Sequence, residues 1–251
     1  MTLITFCLSL IFVLIPFLLS KTLKLGLEKD VFIATVRATI QLFIVGYILE
    51  FVFGSANPLF IIFMVTLIIV AATQNARKKG KNIPGITWKL IITFIFIEIL
   101  TQGILLGLNI IPPTAQYIIP ISGMVIGNSM VLAILFLNRF TAEIEAHEEV
   151  AELILSLGGT PRQAINKQLI ASIQASTLPT IESQKTIGLV QLPGMMSGQI
   201  IAGASPIQAV QYQLLILFII MTTAVITSVF LGFLSYPTLF NKRMQLVQRD
   251  Q

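Results

Sequence analysis

The chain has 251 residues, of which 55% are hydrophobic and only 11% charged, and its mean hydropathy is +0.91. A soluble domain carries roughly 25% charged residues, so this composition excludes a water-soluble domain and requires apolar surface that faces lipid. One cysteine (Cys7) and one histidine (His147) exclude an intrachain disulfide framework, a cysteine-based zinc site and a multi-histidine metal centre within one chain.

Each membrane span consumes roughly 20 residues, and the apolar segments follow in order. Met1–Ser20 has no charged side chain, lacks the basic start of a signal peptide and ends in a poor cleavage site at Phe17-Leu18-Leu19; it reads as a first span. Further spans are predicted at Phe32–Phe53, Pro58–Thr73, Lys89–Leu108, Tyr117–Asn138, Ile187–Ala204 and Gln213–Tyr236. All 16 Lys and Arg fall between spans one and two, three and four, five and six, after span seven, or just inside a span beside those segments. The alternate loops, Gly54–Asn57, Asn109–Gln116 and Ser205–Tyr212, carry none. By the positive-inside rule the N-terminus is outside and the C-terminus cytoplasmic. The basic run Arg77–Lys81 is therefore a topology signal, and no nucleic-acid partner is expected. The expected fold class is an all-α polytopic membrane protein of about seven transmembrane helices, with residues 1–251 forming a single transmembrane domain in the plasma (inner) membrane.

One loop differs. Residues 139–186 are far too many for a connector. Glu143, Glu145, Glu148, Glu149 and Glu152 alternate there with Phe140, Ile144, Ala151, Ile154 and Leu157 at helical spacing, which predicts an amphipathic helix continuing span five. Gly158-Gly159 stops it. Thr160-Pro161-Arg162-Gln163 restarts a helix with a cap, a proline at the first position and a capping-box glutamine.

Glu152-Leu-Ile-Leu-Ser-Leu-Gly158 places an acidic residue six before a glycine, with a helix following at once. This resembles the cytoplasmic EAA-type loop of ABC transporter permeases, whose short coupling helix docks in a cleft of the ATPase. Leu153-Ile154 stand where that motif has alanines, and Leu178-Pro179 comes later than its usual Leu-Pro ending. The resemblance implies a coupling role for Glu149, Glu152, Gly158, Gly159, Thr160, Pro161 and Arg162. The chain has no Gly-x-x-x-x-Gly-Lys-Ser/Thr sequence and so lacks a phosphate-binding loop of its own; no cofactor is expected on this chain, and if ATP drives it, ATP and Mg are expected in a separate ATPase subunit.

Further blocks extend the likeness: Pro120-Ile-Ser-Gly-Met-Val-Ile-Gly-Asn128, Leu178-Pro-Thr-Ile-Glu182-Ser-Gln-Lys-Thr-Ile-Gly-Leu-Val190, Leu192-Pro-Gly-Met-Met-Ser-Gly198 and Ala202-Gly-Ala-Ser-Pro206. These resemble the FetB family of bacterial permeases associated with iron export, whose plant relatives act in aluminium tolerance. The resemblance implies a homodimeric permease paired with a FetA-type ATPase, with a metal cation as cargo.

The residues themselves indicate a path. Charges within spans are costly and mark function by default. Glu98 lies near the centre of span four, with Gln102 one turn later; Glu50 lies near the outer end of span two, where snorkelling to the surface is the simpler reading. Carboxylate and amide oxygens suit hard or borderline cations, which makes Glu98 the candidate metal ligand; the plain alternative is a protonated or paired structural residue. Pro193-Gly194-Met195-Met196 interrupts span six, and broken spans often mark transport sites; methionine also serves as pliable packing. Asn128 lies in the Gly-rich part of span five. His147 reads as a solvated surface residue. The competing mechanism is an ion-coupled secondary transporter with Glu98 as proton relay. An intramembrane enzyme would need a nucleophile–base pair or metal ligands that the spans do not offer.

Overall fold

The structure, a computed structural model, describes residues 11–54, 57–81, 83–241 and 245. Among these it is helical almost throughout, with one isolated bridge between Ile187 and Gln191. The chain divides into two compact units, 1–57 and 58–251.

The first unit contains α1 (Ile11–Thr22) and α2 (Glu28–Gly54). The turn between them is held by the Leu27 amide, which donates to Ser20 Oγ at 3.0 Å. The first ten residues of the expected first span lie outside the described residues; its remainder is the apolar α1.

The second unit contains α3 (Pro58–Ala76), α4 (Ile86–Gly107), α5 (Ala115–Ala146), α6 (Glu148–Ser156), α7 (Pro161–Thr186), α8 (Gly194–Ile201) and α9 (Pro206–Ser235), closed by a 3₁₀ turn at Tyr236–Leu239. Its main core is formed by Ile69, Ala72, Leu90, Phe94, Phe136, Phe140, Ile165, Leu169 and Leu231, with the Phe136 and Phe140 rings stacked at 5.2 Å. Around it stand outward Leu, Ile and Phe side chains, such as Ile62, Ile99 and Phe218, each about two-thirds exposed. This is the distribution a lipid-facing bundle requires. Several buried hydroxyls are satisfied within their own helix: Thr93 donates to the Lys89 carbonyl, Ser172 to that of Gln168 and Thr227 to that of Thr223, which lets polar residues pack inside apolar surroundings.

Among the described residues, five helices are long and apolar enough to cross a membrane: α2, α3, α4, α5 and the α9 segment. They coincide with the predicted second, third, fourth, fifth and seventh spans. The predicted sixth span is corrected. Ile187–Ala204 is not a continuous helix: it holds a turn, with Gly188 at φ +89°, and only the eight-residue α8. Its place beside α9 is taken by α7, whose later half was predicted to lie in a cytoplasmic loop. Leu169 lies against Gly232, Ser176 Oγ is 2.8 Å from Ser228 Oγ, and Gln184 Nε2 donates to the Leu217 carbonyl at 2.8 Å. These pairs set one antiparallel register along α9. Twenty-six residues of helix reach about 39 Å. α7 thus runs as one piece from the 157–160 turn deep into the bundle, and α7, the 187–193 break and α8 together form a discontinuous element.

Candidate functional site

At the base of α7 the turn has the local chemistry its residues require. α5 ends at Ala146, His147 leaves helical geometry at φ −125°, and α6 begins one residue later. Glu143 is the hub of that corner, 2.6 Å from Arg139 and 3.5 Å from the exposed His147 ring. Gly158 adopts φ +86°, a left-handed conformation that glycine takes without steric cost. Gly159 packs against Ile154: a Cβ there would meet Ile154 Cγ2 at 2.5 Å and the Ile154 carbonyl oxygen at 2.7 Å. Thr160 caps α7, with its amide donating to Gln163 Oε1 at 2.8 Å and its Oγ accepting from the Gln163 amide at 3.4 Å, and Pro161 follows at the first helical position. Arg162 reaches across to the α9 end, with its guanidinium carbon 5.4 Å from the Phe233 ring centre. Ala151 is buried against the core and Ile154 packs beside it, while the other face of α6 exposes Val150, Leu153 and Leu157 alongside Glu149 and Glu152.

Higher in the bundle, Glu98 is buried between α4 and α5. Ser122 Oγ donates to Glu98 Oε1 at 2.5 Å and accepts from Gln102 Nε2 at 2.9 Å. The other carboxylate oxygen, Glu98 Oε2, and the amide oxygen, Gln102 Oε1, are buried with no partner among the described residues. The sequence pairing of Glu98 with Gln102 is thus realised, and Ser122 is the bridging residue that sequence reasoning missed. No group of three or more His, Cys, Asp or Glu side chains comes together among the described residues, so a cation at Glu98 would be held by one carboxylate with neutral oxygens.

Two cavities flank the α7–α8 break. One of about 380 Å³ is lined by Asn128 on α5, Thr180, Ser183 and Gln184 on α7, Gln191 and Pro193 in the break, and Gln213 on α9. Asn128 Nδ2 and Gln213 Oε1 are buried without partners among the described residues. Buried polar atoms left unpaired are costly, so these two atoms have hydrogen-bonding capacity to spare beside a cavity whose other walls include Val131, Leu132 and Leu217. The other, of about 280 Å³, is lined by Tyr117, Met124, Met195, Gln199 and Tyr212, with the two tyrosine rings 6.4 Å apart. The expected path residues are therefore distributed: Asn128 and Pro193 share the first cavity, Met195 lines the second, Gly194 opens α8, and Met196 is half-buried on it. Glu50 belongs to the first unit, where it lines an open groove on α2 with Thr39, Phe43, Gly46 and Tyr47. The polar run of α7 was visible in the sequence as Thr180, Ser183 and Gln184, but its length and charge assigned it to the aqueous loop.

Comparison with known proteins matches residues 3–240 to UPF0014, described as an uncharacterised protein family. The chain is 55% identical to the UPF0014 membrane protein YjkA of Bacillus subtilis, over 97% of both chains. It is 38% identical to a protein of Escherichia coli named "Probable iron export permease protein FetB", over 96% of this chain and 93% of that one. It is 32% identical to the Arabidopsis thaliana protein ALUMINUM SENSITIVE 3, over 95% of this chain and 87% of that one. No solved structure matches. With the match running through every helix of both units, the chain is a multi-pass membrane protein that belongs to the UPF0014 family.

Proposed function

We propose that the chain is the permease subunit of an ATP-driven exporter of a metal cation, working as a homodimer with a separate ATPase of the FetA type. The observation that carries this reading is the single helix α7. It starts at the capped 157–160 turn and ends at the 187–193 break beside the 380 Å³ cavity, so a push on the turn is carried along one helix, past Pro179, to the wall of the cavity. The exposed face of α6, apolar at Val150, Leu153 and Leu157 and acidic at Glu149 and Glu152, supplies the docking surface for the partner. The orientation inferred from the basic loops puts this end in the cytoplasm. Iron as cargo is supported by the name of the E. coli relative and by oxygen-rich side chains at Glu98, Gln102 and Ser122.

The test is co-purification with the candidate ATPase, then ATP turnover in liposomes with and without ferrous or ferric iron. Iron-stimulated turnover that falls at least tenfold in Glu98→Gln supports metal export with Glu98 on the path. A stable complex indifferent to iron keeps the permease role and removes iron as cargo. No complex favours the ion-coupled carrier, for which the buried Glu98 with its open oxygen is the candidate proton site.

A further inference from the structure

The later half of α7 carries charge on a flank that neither cavity uses. Thr180, Ser183 and Gln184 turn toward the 380 Å³ cavity. Glu182 and Lys185 stand on another side of the same helix, with Lys185 Nζ donating to Glu182 Oε1 at 2.7 Å and side chains 55% and 63% exposed. Gln174, Ala175, Leu178 and Thr186 are exposed along that flank too. Pro179 has no amide hydrogen, so the Ala175 carbonyl loses its usual donor from four residues on and is left with acceptor capacity there.

Depth makes this flank unusual. By the register that joins Ser176 to Ser228 and Gln184 to Leu217, Glu182 lies level with the middle of the 30-residue α9, about 20 Å along the axis from either end. An exposed ion pair at that level is costly against hydrocarbon, and such charges almost always face the bundle interior or water. Irregular and polar backbone at membrane depth is found beside water-filled cavities or buried in protein.

We propose that Glu182 and Lys185 form a charge-exchange site on the translocation path: the flank faces water, and the Glu182 carboxylate leaves Lys185 to bind a divalent cation. The inference rests on the exporter reading above. In the homodimer of that reading, the same flank of the second copy closes the far side of the path. Lys185 holds Glu182 when no cation is present, which keeps the carboxylate from standing uncompensated between transport events.

Two measurements test it. In permease–ATPase liposomes, Glu182→Gln should raise the ferrous iron concentration giving half-maximal ATP turnover at least tenfold, and Lys185→Met should lower it several-fold by freeing the carboxylate. A pair that is merely structural would change both variants in the same direction or lower the maximal rate at unchanged half-saturation; either result overturns the proposal. Separately, Thr186→Cys in a Cys7→Ser background reports whether the flank is wet, independently of transport. Modification by a membrane-impermeant thiol reagent supports the aqueous path. No modification, or modification only by a lipid-soluble reagent, overturns it. A wild-type complex without any iron response would refute the iron-exporter reading and the divalent-cation assignment together, whereas an iron-responsive complex with an inert Thr186→Cys would refute the charge-exchange site alone.

Discussion

At the scale of single residues, the turn and the cavity obey different constraints. Gly158 sits at φ +86°, and a side chain with a Cβ there costs about 1–2 kcal/mol. Gly158→Ala is expected to reduce ATPase stimulation while membrane insertion stays normal. Gly158→Asn should recover part of it, because asparagine accepts the left-handed region; equal loss in both would mean that the turn geometry is not the cause. Gln213 presents the opposite case. It is 7% exposed, and its Oε1 is buried without a partner among the described residues, so a purely structural glutamine there would be a burden. Gln213→Leu should leave thermal stability unchanged or raise it by about 1 kcal/mol, while iron-stimulated turnover falls. A thermal melt and a turnover assay on the same preparation separate the two.

At the scale of elements, α6 is the clearest case. Its inward side is tied to the core through Ala151 and Ile154, and its outward side leaves Leu153 and Leu157 59% and 79% exposed. Leu153→Glu and Leu157→Glu are expected to weaken co-purification of the ATPase by tenfold or more, with the permease still folded and monodisperse. Retained binding in both would remove α6 from the docking surface. This much was legible in the chain: the 3–4 spacing of apolar residues among glutamates, the Gly158-Gly159 stop and the Thr160–Gln163 capping box all depend on neighbours a few residues away. α7 was not legible in the same way. Its serines, threonines and glutamines read as aqueous loop because hydropathy averages over all sides of a helix, whereas Ser176 and Gln184 are each answered by one partner on α9, Ser228 and the Leu217 carbonyl.

At the scale of the whole molecule, the route of α7 beside α9 is the decisive feature. Ser176→Cys with Ser228→Cys, in a Cys7→Ser background, should form a disulfide on mild oxidation, because the native hydroxyl oxygens are 2.8 Å apart and a bridge needs close, suitably directed Cβ atoms. An α7 lying on the membrane surface would leave the two thiols unlinked, as read by protease cleavage between them and gel mobility.

Composition and spacing alone determined that the chain is a helical multi-pass membrane protein, the places of five long apolar helices among the described residues, and the capped turn. Those features are local or additive: burial in lipid scales with apolar area, and caps act within one turn. Only the tertiary structure decided that the sixth element is broken, that its earlier part is the polar α7, that Ser122 bridges Glu98 and Gln102, and that Glu182 and Lys185 stand at mid-bundle depth. A polar side chain is tolerable inside a membrane when a particular partner from a distant segment meets it, and that pairing is written in three-dimensional register, not in the order of residues.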